Sequence, residues 1–91
     1  MIKSFRHKGL SMLFLEDDAS RVPSELVRRC RIRLIALSEA EKFEDLNIPG
    51  FNFHVLRGKP KRYSIHVNGP WCVTFEWSDG DVYRVDLVQY H

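Results

Sequence analysis

Residues 63–77 have the sequence Tyr-Ser-Ile-His-Val-Asn-Gly-Pro-Trp-Cys-Val-Thr-Phe-Glu-Trp, in which larger apolar side chains alternate with smaller or polar ones on both sides of Asn68-Gly69. A period of two is typical of a β-strand with one buried face, and Asn-Gly is a preferred two-residue hairpin turn. The segment therefore predicts two antiparallel strands. On the second strand, Trp71 and Trp77 are expected to pack in the core, whereas Cys72, Thr74 and Glu76 face the other way.

The same pattern extends on both sides of this hairpin. Pro49-Gly50 precedes a predicted strand from Phe51 to Leu56, in which Phe51, Phe53 and Val55 are expected on the apolar face. Asp79-Gly80 signals a second hairpin, followed by a last strand from Val82 to Val88. The second half of the chain is thus predicted to be an antiparallel β-sheet.

The first half has helical periodicity after a short predicted strand from Ile2 to Phe5. Apolar residues at spacings of three and four predict a helix from His7 to Leu15 and a second from Pro23 to Ala40, with one helical turn over Glu41 to Leu46. The predicted fold class is α+β, with two N-terminal helices packed on one face of an antiparallel sheet and residues 1–91 forming a single domain.

Two isoleucines do not fit the apolar stripe of the second helix. That stripe is formed by Leu26, Val27, Cys30, Leu34 and Leu37, and Ile32 and Ile35 fall outside it. Either they contact the first helix, or they form a surface that awaits a partner.

Composition excludes several classes of protein. The chain has 91 residues, is 44% hydrophobic and has a net charge of +2, which excludes a disordered chain and does not by itself indicate nucleic acid. No apolar run approaches the roughly 18 residues of a membrane helix, and no segment resembles an export signal, so we expect a cytoplasmic protein. Cys30 and Cys72 are expected to be free thiols in that reducing compartment.

The positive charges are distributed unevenly. No aspartate or glutamate occurs between Asp45 and Glu76, and the predicted loop between two strands has four cations in six residues, namely Arg57, Lys59, Lys61 and Arg62. Such a loop can follow a phosphate backbone, because contacts to phosphate oxygens need cations but little fixed geometry. The alternative is an ordinary solvated hairpin tip.

Histidine and tyrosine side chains are the candidates for acid–base chemistry. His54, His66 and His91 could be brought together by antiparallel pairing, and Tyr90 precedes His91 directly after the last apolar strand. Two imidazoles across a phosphodiester could remove one proton and supply another. The alternative is that each is an ordinary polar residue of a half-exposed strand or a frayed end. No pair has the spacing of a zinc site, so no metal is expected.

In the order and spacing of its motifs, the whole chain resembles the HigB-type toxins of bacterial type II toxin–antitoxin modules, in the RelE/ParE superfamily. The resemblance is carried by Met1-Ile-Lys-Ser-Phe-Arg-His-Lys-Gly9, Leu46-Asn-Ile-Pro-Gly50, Phe53-His-Val-Leu-Arg-Gly58, Tyr63-Ser-Ile-His-Val-Asn68, Trp71-Cys-Val-Thr-Phe75, Asp79-Gly80 and Tyr90-His91.

The resemblance implies an endoribonuclease that cuts messenger RNA in the ribosomal A site. It also implies a partner, a HigA-like helix-turn-helix antitoxin, through which alone the toxin would reach operator DNA. The RNA's own 2′-hydroxyl would attack the adjacent phosphate, without metal or cofactor. The matching catalytic positions are His54, Tyr90 and His91, and Arg57, Lys59, Lys61 and Arg62 would hold the phosphates.

Two positions depart from the family pattern. The family has Trp-Arg-x-x-Phe where this chain has Cys72 after Trp71, and it ends in Asp-Tyr-His where this chain has Gln89 before Tyr90. A neutral cysteine cannot replace a bidentate phosphate ligand. Besides an active ribonuclease, the sequence therefore leaves open an impaired toxin that only binds its antitoxin. A gyrase poison resembling ParE is a further alternative, which the histidines disfavour.

Overall fold

The computed structural model describes residues 1–90 and confirms the α+β fold class. The elements are α1 (Lys8–Glu16), α2 (Val27–Glu39), β1 (His54–Leu56), β2 (Arg62–Asn68), β3 (Trp71–Ser78) and β4 (Asp81–Gln89), with short 3-10 turns at Ser24–Leu26 and Phe43–Leu46. The strands form one antiparallel sheet in the order β1-β2-β3-β4. Neither α-helix in this part of the chain has the length and apolar character needed to cross a membrane.

The core lies between the two helices and one face of the sheet. Leu10 and Leu13 of α1 and Leu34 and Leu37 of α2 are almost completely buried, as is Phe75 on β3. Trp71 and Trp77 pack against this core, which confirms the prediction for both. Both cysteines are free thiols, as predicted, and burial raises the pKa of Cys30 to about 11.

The predicted first strand, Ile2 to Phe5, is only partly correct. Ile2 and Phe5 form isolated parallel bridges with Val82 and Val85 of β4 instead of a continuous strand. Between the two bridges, Arg84 has a positive φ of 49°, and β3 and β4 shift register at the same level. This irregularity interrupts the ladder. The segment nevertheless runs along β4 and so extends that edge of the sheet.

The strand predicted from Phe51 to Leu56 is shorter than expected. Asn52 has a positive φ of 47°, so the chain turns there and β1 begins only at His54. Phe51 is buried, but Val55 is exposed, contrary to its assignment to the apolar face, because β1 is the edge strand of the sheet. Of the residues in this apolar pattern, only those that precede β1 therefore pack against the core.

Arg33 of α2 anchors the segment that leads into β1. Its guanidinium carbon lies 4.6 Å from the centre of the Phe51 ring, and its Nε donates a 2.8 Å hydrogen bond to the His66 carbonyl oxygen. The His66 N–H in turn donates to the Phe51 carbonyl oxygen. Helix α2 thereby fixes the chain just before His54 against β2.

Helix α1 begins at a close contact with the following loop. The His7 Nδ1 accepts a 3.1 Å hydrogen bond from the Leu10 N–H and so caps the helix. A Cβ on Gly9 would lie 2.6 Å from the Arg21 carbonyl oxygen, which is a backbone atom and cannot rotate away. Only glycine fits this approach without moving the loop.

We therefore predict that Gly9→Ala lowers the free energy of unfolding by about 1–3 kcal/mol, because the added methyl must push α1 and the Arg21 backbone apart. Ser11→Ala, two residues further along the same helix, serves as the matched control. Urea unfolding of both variants measures the effect. If the Gly9→Ala variant is as stable as the control, the loop can move away from the added methyl group without a loss of stability.

Candidate functional site

An open cleft of about 550 Å³ lies on the face of the sheet that the helices leave uncovered. Thr74 pairs with Asp86 across β3 and β4, and their side chains point away from the core side of Phe75. The floor of the cleft belongs to these strands, and its walls come from the β1–β2 loop, the N-terminal segment and the end of β4. The lining residues are Arg6, Leu56, Arg57, Gly58, Lys59, Pro60, Arg62, Thr74, Asp86, Val88 and Tyr90.

Two cations of the β1–β2 loop give the cleft its charge. Arg57 and Lys59 are exposed, and neither forms an ion pair with a carboxylate of residues 1–90. Arg6 adds a third cation, with its Nη1 4.0 Å from Asp86 Oδ2. Lys61 is exposed but does not line the cleft. Unpaired cations around a concave surface create a positive potential that attracts an anionic chain.

Arg62 differs from the other loop cations because its side chain is already engaged. Its Nη1 donates to Glu76 Oε2 at 3.1 Å, and its Nη2 donates to Thr74 Oγ1 at 2.9 Å and to the Arg84 carbonyl oxygen at 2.8 Å. Glu76 also accepts from Arg84 Nη1 at 2.9 Å. The Arg62 and Glu76 side chains are each only 14% exposed. Arg62 therefore joins β2, β3 and β4 beneath the cleft, and Glu76 offsets much of its charge.

Tyr90 lies at the far wall of the cleft. Its N–H donates a 2.7 Å hydrogen bond to the Pro70 carbonyl oxygen, which holds the chain beyond β4 against the β2–β3 turn. Its side chain is exposed and lines the cleft together with Arg57, Lys59 and Arg62. The structure thus brings together four of the residues singled out from the sequence. His91 lies outside the described residues.

His54 lies on the same sheet face but outside the cleft lining. It pairs with Ser64, which pairs with Thr74, so one cross-strand row runs from His54 towards the cleft. At about 4.8 Å between strands, the backbones of His54 and Thr74 are roughly 10 Å apart. The His54 Nδ1 is 2.9 Å from the Asn52 carbonyl oxygen, which can only accept, so Nδ1 carries the proton. In the neutral imidazole, Nε2 is therefore the unprotonated nitrogen.

The other histidine of this face has a local role. The His66 Nε2 is 3.0 Å from the Gly69 carbonyl oxygen and donates to it, which ties the ring to the β2–β3 turn. His66 does not line the cleft. Among residues 1–90, no three histidine, cysteine, aspartate or glutamate side chains are grouped as metal ligands.

The two departures from the family pattern occupy different faces. Cys72 pairs with His66 and Val88 on the cleft side of the sheet, opposite the core as predicted, but it is only 8% exposed. Gln89 pairs with Trp71, so strand alternation directs it to the helix side of the sheet, away from the cleft face. Of the two, Cys72 is thus the one on the face that carries the cleft.

Sequence reasoning missed four residues of this face: Arg6, Ser64, Thr74 and Asp86. The polar positions of β3 and β4 were a usable signal for Thr74 and Asp86, because they alternate with core residues. Ser64 is fully buried between His54 and Thr74, and its hydroxyl has no hydrogen-bond partner among the described residues. Nothing in the sequence placed Arg6 here, because its position depends on the bridges to β4.

Comparisons with known proteins identify the class to which this fold and cleft belong. A family model described as the RelE-like toxin HigB of type II toxin–antitoxin systems matches residues 3–91. The chain belongs to this HigB-like toxin family, as the sequence motifs predicted. It is therefore the toxin of a pair whose other member is an antitoxin.

Two relatives are similar to the chain over most of its length. The chain is 40% identical, over the full length of both proteins, to a protein of Proteus vulgaris named Endoribonuclease HigB. It is also 32% identical to an uncharacterized protein of Haemophilus influenzae over 74 residues, which cover 78% of this chain and 72% of the relative.

The different surroundings of the loop cations lead to a stability prediction. Arg62→Ala should lower the free energy of unfolding by about 1–3 kcal/mol, because it leaves the Thr74 hydroxyl and one oxygen of the largely buried Glu76 carboxylate without their donor. Lys59→Ala should change it by less than about 0.5 kcal/mol, because the Lys59 side chain is exposed. Thermal or urea unfolding compares the two. Equal effects of the two substitutions would show that the Arg62 contacts make no net contribution to the free energy of unfolding.

Proposed function

We propose that this toxin is an endoribonuclease that cuts messenger RNA on the ribosome and so inhibits translation. The observation that carries the proposal is the cleft in which Arg57 and Lys59 surround a polar sheet floor with Tyr90 at one wall. A flexible anionic strand fits such a surface, because its phosphates need cations and its bases need only open space. The name of the Proteus vulgaris relative supports cleavage of RNA.

The proposed reaction uses a nucleophile that RNA itself supplies. A base removes the proton of a 2′-hydroxyl, whose oxygen attacks the adjacent phosphorus and displaces the 5′-oxygen of the next nucleotide. An acid gives that oxygen a proton, so the products are a 2′,3′-cyclic phosphate and a free 5′-hydroxyl. Arg57 and Lys59 stabilise the charge that builds on the phosphate oxygens, with Arg62 beneath them and Lys61 on the approach. DNA lacks the 2′-hydroxyl and is not a substrate.

We assign the proton transfers to His54, Tyr90 and His91. The Nε2 of neutral His54 has a free lone pair, which suits a general base, because Nδ1 donates to Asn52. Tyr90 has an exposed hydroxyl at the cleft and suits proton donation or orientation of the leaving oxygen. His91 is assigned by its position in the family motif alone. The RNA strand would extend from the cleft along the row that leads to His54.

The proposed context is the cytoplasm, where ribosomes and messenger RNA are found. Residues 1–91 act as one toxin domain without metal or cofactor. The proposed antitoxin is a HigA-like helix-turn-helix protein, and the toxin reaches operator DNA only through it.

A second candidate function is that of an impaired toxin which only binds its antitoxin. Two observations favour it: a neutral Cys72 occupies the cleft face where the family has an arginine, and the charge of Arg62 is paired with Glu76. A gyrase poison resembling ParE remains an alternative outcome of testing, although no feature of the described residues favours it.

Primer extension on ribosome-bound messenger RNA tests the proposal. We expect a new stop within the A-site codon, and loss of that stop in His54→Ala. The matched control is Val55→Ala, the next residue on the same edge strand, whose side chain points to the other face and is also exposed. Cleavage by His54→Ala at the wild-type rate would remove His54 from the mechanism. No cleavage by any variant, with altered DNA supercoiling by gyrase, would favour the gyrase poison.

The effect of the missing arginine can be measured separately. We predict that Cys72→Arg raises the rate of messenger RNA cleavage, by up to the hundred- to thousand-fold or so that a preorganised transition-state donor typically contributes. The strand geometry directs the new side chain to the cleft face, and its long stem can carry the charge past His66 and Val88. Cys72→Lys is the control, because lysine supplies a positive charge without the planar guanidinium that can bind a phosphate through two hydrogen bonds. Equal rates for Cys72→Arg and the parent would show that another cation already fills the role.

A further inference from the structure

An apolar groove lies on the outer side of α2, on the opposite side of the molecule from the cleft. Its volume is about 370 Å³, and it is lined by Ile32, Ile35, Ala36, Glu39, Ala40, Asp45 and Ile48. The three isoleucines are 47%, 51% and 37% exposed, in that order along the chain. The sequence left two interpretations of Ile32 and Ile35 open; both line this groove, which contains no residue of α1, so the structure favours the interpretation that they form a surface.

The fold does not need these isoleucines. The inner stripe of α2, with Cys30, Leu34 and Leu37, is fully buried and holds the helix on the core. At an exposed helix position, isoleucine favours the helix less than lysine or glutamate would. Of the exposed large hydrophobic residues within residues 1–90, only these three isoleucines line the groove. Clustered exposed apolar side chains typically mark an interaction site.

The rim of the groove is acidic. Glu39 ends α2, and Asp45 lies in the following 3-10 turn. The backbone N–H groups of Glu41 and Lys42 donate to Asp45 Oδ2 at 2.9 and 3.2 Å, which lowers the pKa of the Asp45 carboxyl and keeps it charged near neutral pH. The charged residues that line the groove are thus both carboxylates, whereas exposed cations line the cleft.

We propose that this groove is the docking site of the antitoxin, through a segment that presents apolar side chains flanked by lysine or arginine. The inference rests on the proposed pairing of this toxin with an antitoxin. A specific protein interface needs an apolar centre and complementary charge at its rim, and the groove offers both. The cleft differs in its charge, because its exposed cations Arg57 and Lys59 would repel a basic partner. The isoleucines fill the centre, and Glu39 and Asp45 bind the basic residues.

The test measures binding of the toxin to its purified antitoxin by calorimetry, in the absence of ribosomes. We expect Ile35→Lys to weaken binding roughly 10- to 100-fold, because it places a solvated cation at the centre of the interface. Lysine favours helices, so α2 persists. Leu15→Lys is the matched control, because Leu15 is also an exposed apolar helix residue, on α1 and outside the groove, and the variant should bind like the parent.

The charge of the rim has its own pair of variants. Glu39→Lys should weaken binding by about tenfold and make the remaining affinity less dependent on salt, whereas Glu16→Lys at the end of α1 should leave both unchanged. Both substitutions place a cation at a helix C-terminus, where it is favourable, so stability does not separate them.

Several outcomes would overturn the inference. Parental affinity in Ile35→Lys would show that the antitoxin binds elsewhere. If the toxin alone is dimeric and Ile35→Lys makes it monomeric, a second copy occupies the groove instead. Loss of ribosome association in Ile35→Lys, with antitoxin binding intact, would assign the groove to the ribosome. Because calorimetry reports binding without cleavage, a toxin that fails to cut RNA still gives an answer here.

Discussion

The two helices cover only one face of the sheet, and this asymmetry determines where the hydrophobic core and the cleft lie. On the covered face, residues such as Phe75 lose contact with water and supply the hydrophobic free energy of folding. On the open face, the same strands must hold polar side chains in place by contacts between those side chains. Arg62 does this by bonding to Thr74, Glu76 and the backbone of Arg84. The cleft exists because no helix covers this face.

The features that could be predicted from sequence are those set by local pattern. The period of two in β2 and β3, the turn at Asp79-Gly80 and the apolar stripe of α2 depend on neighbours in the chain, and the structure agrees with them. The first hairpin turn lies one residue later than predicted, at Gly69-Pro70, because Asn68 still pairs with Trp71 in the sheet. The shortening of β1 was not predicted, because it depends on the left-handed conformation of Asn52, which alternation cannot reveal.

The site was only partly predictable for the same reason. The distribution of charges along the sequence predicted the cationic loop, but it could not distinguish the role of Arg62 from that of Lys59. Their difference comes from Glu76 and Thr74, which are more than ten residues away and become neighbours only when β2 pairs with β3. Arg6 was missed because its place depends on bridges to β4. The sequence pattern therefore predicts the helices and strands, whereas the partner of each charged side chain can be identified only once the sheet has assembled.

The cleft draws its walls from almost the whole length of the chain. Arg6 stands on a segment that joins β4 through parallel bridges, and Tyr90 follows the last residue of that same strand. Without β4, the β1–β2 loop and its cations would lack one wall and the outer part of the floor of the cleft. The site is therefore complete only when Arg6 and Tyr90, which are far apart in the sequence, are brought together by β4.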